Sequence, residues 1–599
     1  MARTDGVPLF VEELTKTVLE SGLLTDAGDR YELSGPMPAL AIPVTLHDSL
    51  MARLDRLAPL KEVAQTAAVI GREFSHDLLA ALSPLPRPEL DAALDQLVAA
   101  ELVFRRGTRP EAVYSFKHAL VQDAAYQSLL KSKRQQLHGR IAQMLVERFP
   151  ATVSTEPEII AYHFNEAGMA KDAIEYWHRA GERAVTGSAN LEAIRHLQAA
   201  LDLLASLPED RTRAERELRL LTLLSPAQMV TKSRAAEEVA TTLERAKALA
   251  QKLESLDHLI PATLGLWLLH VNRGAFEKAG ELTQELFDLA RRGQDDGFLL
   301  QAHHAGWTTR MFTGEFREVR DQFECGLNLY DRRRHGSHAF RYVGHDPLAC
   351  AHALGAVALW MLGYTDQALR HSAAALTSAE ELEHAPSLVH ALSFAGILHV
   401  LREDHRAVAA VAERLFSIAS ELDMAPGIAT ADSLADWALV QDGKIEGLSR
   451  LERGVEAWRA TGARLHLPQR LSMPADGLSN AGRCSEALDA NAEAHRFVQA
   501  TGECWYEAMV LWQRGRLLSL QAAGPEPVEA ALREGLEVAR RQQAKSLELR
   551  AAASLARLWA EQGKRQKAQD LLAPIYGWFT EGFDTADLKT AKALLGALS

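Results

Sequence analysis

A pattern that recurs about every forty residues constrains this chain more than any other feature of its sequence. Similar six-residue segments, each beginning with glycine and ending with alanine, lie at residues 274–279, 363–368, 482–487 and 563–568. Shorter literal repeats agree with this period, because Glu-Leu recurs at 381 and 421 and Ala-Thr-Gly recurs at 460 and 500. Similarity at a fixed period of this size is typical of a solenoid of stacked helix pairs. Such arrays mostly bind other molecules, so we expect recognition rather than chemistry.

One turn anchor can be placed in each repeat, and a small residue often follows seven positions later. Small side chains at this spacing lie on one helix face and let the paired helix approach closely. The pattern predicts an all-α fold, a right-handed tetratricopeptide-like α-solenoid of about ten repeats of ~40 residues over 151–599. The anchors are Ala193, Val239, Ala279, Val319, Ala368, Val408, Leu448, Ala487, Val528 and Ala568.

The longest gap between anchors contains a polar insertion at residues 331–338. Insertions in solenoids map to loops, often on the binding side. His335 and His338 would share a face if this insertion were helical, but a metal ion would need two more ligands. No further ligand is obviously spaced for this purpose, so we predict no metal site and no cofactor.

Composition and motif searches argue against several classes of function. The net charge is −13, and an acidic balance disfavours non-specific binding to nucleic acid or to anionic membranes. The P-loop motif, HExxH, GxSxG and paired CxxC motifs do not occur, so we predict no catalytic residues. The four cysteines form no CxxC pair, and no apolar stretch reaches the ~20 residues of a membrane span. We therefore expect a cytoplasmic protein without a membrane partner.

Residues 44–150 follow a different pattern, of short helices, then strands, then helices, which predicts a winged-helix-like domain. Helices are expected at 46–57, 60–70, 75–82 and 89–100, followed by a hairpin at 102–106 and 112–116. The last three of these helices, followed by the hairpin, give the order of a winged helix.

The charges of this region bear on DNA binding. The helix that would enter the major groove carries Glu89 and Asp95 as well as Asp91, with no Lys or Arg, whereas Arg105, Arg106 and Arg109 lie in the wing. Because phosphate contacts supply most of the affinity for DNA, this charge pattern favours an intramolecular role over DNA binding.

Four segments carry a resemblance to a known family: residues 6–14, 69–74, 116–126 and 576–585. They resemble the C-terminal half of bacterial signalling proteins that fuse a class III adenylate or guanylate cyclase, a STAND-type P-loop ATPase, a winged-helix segment and a tetratricopeptide array. The resemblance covers essentially the whole chain and implies that residues 1–43 are the helix and loop of an ATPase lid remnant. It assigns Gly6 and Pro8 to the family's nucleotide-contacting GxP motif, with Pro8 near the adenine. Since the P-loop and the cyclase are missing here, we expect this contact to be idle and the chain not to be an enzyme.

Together these features predict a non-catalytic sensor and protein-interaction arm of a cyclase and STAND ATPase signalling system. A protein, a peptide or a small-molecule effector would bind the concave face of the solenoid, and a cyclase or ATPase domain would be supplied in cis or in trans. Two alternatives stay open. One is a winged-helix transcription regulator with an effector-sensing array, and the other is a fragment of an adenylate cyclase whose catalytic and P-loop domains are encoded upstream.

Overall fold

The computed structural model describes residues 24–26, 31–33, 58–187, 189–342, 344–444, 446–460 and 462–598. The chain divides into two compact units, Met1–Arg213 and Ala214–Ser599. Gly6, Pro8 and the predicted helix at 46–57 lie outside the described residues. The domain boundary predicted near residue 150 stays a prediction.

A short antiparallel hairpin lies inside the predicted lid remnant, where the sequence was expected to form an irregular loop. Strand β1 (Leu24–Asp26) pairs with β2 (Tyr31–Leu33), with Thr25 opposite Glu32. The expectation of a loop was wrong here because three-residue strands are too short to show alternation.

The first unit continues with three helices and a three-stranded sheet. Strand β5 lies in the centre of the sheet and pairs antiparallel with both β3 and β4. The predicted hairpin is therefore present as β4 and β5, and Tyr114 of β5 stacks on Phe74 of β3 with ring centroids 5.6 Å apart. The elements in order are α1 (Ala58–Ile70), β3 (Glu73–Ser75), α2 (His76–Leu82), α3 (Arg87–Ala99), β4 (Val103–Arg106) and β5 (Val113–Phe116).

Six further helices follow in the first unit. A second apolar cluster joins α2 to the helices that follow the sheet, and Ile141, Ile160 and Phe164 are buried in it. These helices are α4 (Ala119–Gln127), α5 (Lys131–Arg148), α6 (Pro150–Thr155), α7 (Pro157–Glu166), α8 (Ala170–Thr186) and α9 (Asn190–Ala205).

The second unit begins within α10 and is built from antiparallel helix pairs. Its described residues contain no helix that is both long and apolar enough to cross a membrane. The helices up to the insertion are α10 (Arg211–Thr231), α11 (Glu237–Lys252), α12 (Leu256–Asn272), α13 (Phe276–Gly293), α14 (Asp296–Thr313) and α15 (Phe316–Leu329). The insertion forms α16 (Arg332–His335) and α17 (His338–Arg341). The remaining helices are α18 (Pro347–Met361), α19 (Thr365–Glu381), α20 (Ala385–Leu401), α21 (His405–Glu421), α22 (Ala425–Gln441), α23 (Glu446–Ala460), α24 (Leu467–Asn480), α25 (Cys484–Thr501), α26 (Glu507–Leu520), α27 (Pro525–Arg541), α28 (Lys545–Glu561), α29 (Arg565–Tyr576) and α30 (Ala586–Leu598).

Every predicted anchor is buried near the start of the second helix of its pair. Ala279 and Val319, for example, are the fourth residues of α13 and α15 and have no exposed surface. A side chain at this position packs into the angle between the two helices of a pair. The all-α, tetratricopeptide-like fold predicted from the period is confirmed.

The small residues seven positions after the anchors lie where helices touch most closely. A Cβ added at Gly326 would stand 2.5 Å from Cζ3 of Trp307, and one at Gly535 would stand 3.2 Å from Cβ of Leu511. Larger side chains at these positions would push the paired helices apart.

Candidate functional site

The first helices of the pairs contact each other and line the inside of the second unit; we call them the inner helices. They are α12, α14, α18, α20, α22, α24, α26 and α28. Several have buried apolar residues around most of their circumference: Leu392, Phe394, Ala395 and Val400 of α20 point in different directions and are all buried. A helix without a polar face is covered on all sides.

Successive turns of the solenoid cover the inner helices by stacking on each other. The carbonyl oxygen of Asn272 accepts a hydrogen bond of 2.8 Å from the backbone N–H of Arg464. The carbonyl of Phe312 accepts one of 3.1 Å from the N–H of Trp505 in the same way. In both cases the donor lies two or three residues before the start of an inner helix. That helix is five repeats further along the chain than the helix that carries the accepting carbonyl. The array therefore completes one turn of its superhelix after about five repeats, and successive turns are in direct contact.

A continuous column of aromatic and histidine rings fills the inside of this winding. The rings of His345 and His390 are stacked with centroids 4.1 Å apart, and Phe394 lies 4.9 Å beyond His390. His466 then contacts Phe394 at 5.9 Å and Trp505 at 5.9 Å. The column links four inner-helix regions that are far apart in sequence.

The histidines of the column are neutral. Burial lowers the pKa of His304, of His390 and of His466 to about 3. Burial, together with the neighbouring His390, lowers the pKa of His345 well below its ordinary value. At physiological pH each ring therefore offers one N–H donor and one nitrogen lone pair.

Arg234 faces this column from the segment between α10 and α11. Its side chain is accessible to water, yet desolvation by the surrounding protein lowers the pKa of the guanidinium. It has no acidic partner among the residues that the structure describes. The same guanidinium depresses the pKa of both His345 and His390. Arg234 is thus an exposed cation at the end of the column formed by His345 and His390.

The predicted polar insertion forms the two short helices α16 and α17. The rings of His335 and His338 have centroids 5.1 Å apart, so the two histidines share one face as the sequence allowed. Both are buried in protein contacts: His338 Nδ1 lies 2.9 Å from Nε2 of Gln301, and the backbone N–H of Asp331 donates to His335 Nδ1 at 3.0 Å. These two histidines are therefore occupied by protein partners.

A group of side chains at the His345 end of the column has the donor chemistry of a metal site. The group consists of three buried residues: His304 of α14, His345 of the segment before α18, and Cys350 of α18. Their ligand atoms all lie within 4.8 Å of one another. Nε2 of His304 is 3.1 Å from Nε2 of His345. Sequence reasoning missed this group because His304 and Cys350 are 46 residues apart and belong to different repeats.

An open cleft of about 560 Å³ lies on the other side of α14, away from the column. The adjacent residues His303 and His304 point from this helix in different directions. His303 contacts Gln322 of the cleft wall at 2.7 Å, whereas His304 contacts His345 of the column at 3.1 Å. The cleft is lined by Phe276, Glu277, Gly280, Thr283, Gln284, Phe287, Gly306, Thr309, Arg310, Thr313, Glu315, Gln322, Thr501 and Gly502.

The cleft combines an apolar surface from Phe276 and Phe287 with threonine hydroxyl and glutamine amide groups, and two carboxylates add negative charge. Thr283 and Thr309 lie 3.2 Å apart on its floor, and Thr309 also accepts a hydrogen bond from the indole of Trp267 at 2.8 Å. Arg310 forms an ion pair with Glu315, which leaves the charge of Glu277 uncompensated within the cleft. The volume is within the range of small-molecule and peptide sites.

In the first unit, Arg105 and Arg109 of the predicted wing form ion pairs with carboxylates of α3, the helix whose charge was expected to disfavour DNA binding. Nη2 of Arg109 donates to Oδ1 of Asp95 at 2.9 Å, and Arg105 contacts the same oxygen at 3.3 Å. The hydrogen bond from Arg109 lowers the pKa of Asp95. Arg109 also contacts Asp91 at 3.3 Å. These cations are engaged within the protein.

No protein-family model matches the chain. The uncharacterized protein R02095 of Rhizobium meliloti (strain 1021) is 27% identical over 557 residues, which cover 92% of this chain and 53% of that protein. The chain therefore spans about half the length of the curated relative it matches.

Solved structures of helical-repeat proteins are also similar. A Rap protein complexed with competence and sporulation factor has a TM-score of 0.45 and 12% identity, covering 62% of this chain and 98% of that chain. The Cut9–Hcn1 hetero-tetramer of the APC/C gives 0.42 and 12%, covering 92% and 96%. A STAND protein with a tetratricopeptide repeat sensor from Pyrococcus horikoshii gives 0.29 and 12%, covering 100% and 71%.

Proposed function

We propose that this chain is a non-catalytic sensor and protein-interaction arm, and that its second unit binds a polar peptide segment or effector in the cleft beside α14. The cleft of about 560 Å³ is the observation that carries this proposal. Its hydroxyl and amide groups suit the backbone and polar groups of an extended peptide. The uncompensated Glu277 favours an occupant with hydrogen-bond donors or positive charge.

The position of the cleft suggests how binding is converted into a signal. Most of its wall comes from α13, α14 and α15, but Thr501 and Gly502 come from the next turn of the solenoid. An occupant would contact both turns and so stabilise the spacing between them. A ligand that binds one spacing more tightly shifts the population of the whole array towards it. This refines the predicted binding on the concave face, which stays a prediction.

The signalling context is the less direct part of the proposal. Domain order in the cyclase and STAND ATPase fusions supports an arm that regulates an ATPase and a cyclase in cis or in trans through the winged-helix-like segment. A regulator of transcription is the less favoured function because Arg105 and Arg109 are paired with Asp95. Deleting the residues that match 190–599 from a full-length relative should change the regulation of its cyclase or ATPase. Unchanged activity and ligand response would contradict the proposed context.

A variant that fills the cleft tests the site itself. Gly280 lies on α13 in the cleft wall, and a Cβ there would have no atom within 4 Å, so Gly280→Trp should fold and occupy the cleft. Gly596→Trp on α30 is a matched control, because its surroundings are equally open. Peptides selected from a random library on the natural protein should bind Gly596→Trp unchanged and bind Gly280→Trp at least about tenfold more weakly. Binders that do not distinguish the two variants would refute the cleft as the site.

A further inference from the structure

His304, His345 and Cys350 come together from three different parts of the fold. His304 lies in the middle of α14, His345 lies in the segment after the insertion, and Cys350 lies in the first turn of α18. Their nitrogen and sulfur ligand atoms are within 4.8 Å of one another. All three side chains are buried, so the group is not a chance cluster of surface residues.

Neighbouring hydrogen bonds leave one lone pair of His304 directed into this group. The amide Nε2 of Gln301 lies 2.9 Å from Nδ1 of His338, which places the N–H donor of the amide on that side. The amide Oε1 of Gln301 then accepts from Nδ1 of His304 at 3.3 Å. A histidine that donates through Nδ1 presents the lone pair of Nε2, and that atom faces His345 at 3.1 Å. Outer hydrogen bonds that fix a ring in this way are typical of metal-ligating histidines.

The thiol of Cys350 is also held in position. The indole Nε1 of Trp307 lies 3.5 Å from Sγ and donates to it. Trp307 is itself fully buried and stacked on His304 with ring centroids 5.0 Å apart. The indole ring of Trp307 therefore contacts both the imidazole of His304 and the thiol of Cys350 and holds them in position.

We propose that His304, His345 and Cys350 bind a divalent transition-metal ion of borderline softness, Zn²⁺, inside the second unit. Two neutral imidazoles and a thiolate match the preferred donors of zinc, and water would supply a fourth ligand. On binding, the Cys350 thiol loses its proton to solvent, and Nε2 of His345 loses its proton while Nδ1 gains one. The metal would tie α14 to α18 across the insertion and so couple the folding of two successive repeats to metal binding.

Other histidine pairs in the protein provide matched controls. His352 and His371 approach at 3.1 Å between their Nδ1 atoms, and His138 and His163 approach at 2.8 Å. Among the described residues, neither pair has a third histidine, cysteine or carboxylate ligand within reach, unlike His304 and His345 with Cys350. A histidine pair without a thiol should bind zinc no better than an ordinary surface.

The decisive experiment adds Co²⁺ and Zn²⁺ to the whole 599-residue chain after chelator treatment. The natural protein should bind one equivalent, and cobalt should give a thiolate-to-cobalt charge-transfer band that zinc removes. Cys350→Ser and His345→Gln should each weaken binding at least about 100-fold, whereas Cys504→Ser and His371→Gln should bind unchanged. An absent charge-transfer band in the natural protein would overturn the proposal even if the variants failed to fold. Unchanged binding in Cys350→Ser would also overturn it. Neither result bears on the cleft, because the proposed zinc ligands are not among its lining residues.

Discussion

The guanidinium of Arg550 donates a hydrogen bond of 2.9 Å to the backbone carbonyl of Leu401, a residue 149 positions earlier in the chain. The same side chain forms an ion pair of 2.6 Å with Asp587. Its guanidinium carbon lies 5.4 Å from the ring centre of Trp360 and 5.3 Å from that of Trp512. Arg550 is thus the buried link between successive turns of the solenoid. Because the turns touch, the second unit should unfold more cooperatively than an open array, in which each repeat contacts only its neighbours.

Removing this link should destabilise the second unit strongly. Arg550→Met leaves Asp587 and the Leu401 carbonyl without their buried partner, which typically costs about 3–5 kcal/mol of unfolding free energy. Urea denaturation followed by tryptophan fluorescence measures the loss. Arg557→Met on the exposed side of the same helix is the control and should change stability by less than about 0.5 kcal/mol. Equal effects of the two substitutions would mean that the contact between turns contributes little.

Close packing at the small residues of the repeat gives a second prediction. In Gly326→Ala the new methyl group would meet the buried ring of Trp307 at 2.5 Å, so we expect a loss of about 1–3 kcal/mol. At Gly454 of α23 a methyl group would meet only the Ser433 hydroxyl, at 3.7 Å. Gly454→Ala should therefore stabilise the unit by up to about 1 kcal/mol through helix propensity. Thermal denaturation of the two variants should give shifts of opposite sign, and a shared sign would contradict this account.

A buried carboxyl group gives a third prediction, on pH dependence. Glu503 is fully buried, and its Oε1 accepts hydrogen bonds of 2.9 Å from the backbone N–H of His466 and from the indole of Trp505. Burial raises its pKa to about 8 from the ordinary 4.5. A raised pKa in the folded state means that the unfolded state loses this proton first. The stabilising effect is complete below pH 4.5 and is lost as the pH rises through 8.

Glu503→Gln keeps the shape of the protonated acid and removes its titration. The difference in unfolding free energy between variant and natural protein should grow in favour of the variant from pH 5 to pH 8, by up to about 1.4 kcal/mol per pH unit. Since both proteins share every other titrating group, the difference isolates Glu503. A difference that stays constant over this range would show that the carboxyl group is already ionised in the folded protein.

Local packing within a repeat was predictable from the sequence because the same pattern of anchor and small residues recurs along the chain. Ala279 and its equivalents were found by period alone, and all of them are buried. The hydrogen bond between Asn272 and Arg464 joins residues of repeats five apart and has no sequence signal. The number of repeats per turn depends on small rotations between neighbouring pairs, which add up along the array.

The candidate sites were harder to predict than the fold for the same reason. His304 and Cys350 meet only because successive inner helices pack side by side, and the sequence shows them as unrelated residues in two repeats. The cleft likewise needs Thr501 from a later turn. His303 and His304 illustrate what could be foreseen: adjacent residues on a helix cannot face one ligand, and in the structure His303 contacts Gln322 whereas His304 contacts His345.

The β4–β5 hairpin, which was predicted to be a wing, gives a last prediction, on DNA binding. The natural protein should show no salt-sensitive complex with duplex DNA in gel shifts, because Arg105 and Arg109 are paired with Asp91 and Asp95. In the double variant Asp91→Asn and Asp95→Asn, Arg105 and Arg109 are released. Two freed cations can contact about two phosphates, which would give weak binding whose logarithm falls against the logarithm of salt concentration with a slope of about −2.

A control for this double variant must change the net charge equally without freeing the wing. Glu526→Gln with Glu537→Gln removes two negative charges from the exposed surface of α27 and should leave DNA binding absent. If the control gained the same binding as the wing variant, total charge rather than the local pairing would explain it. If instead the natural protein already bound with a steep salt slope, the cations that hold DNA would lie elsewhere. The pairing of Arg109 with Asp95 would then have no bearing on the choice between a sensor arm and a transcription regulator.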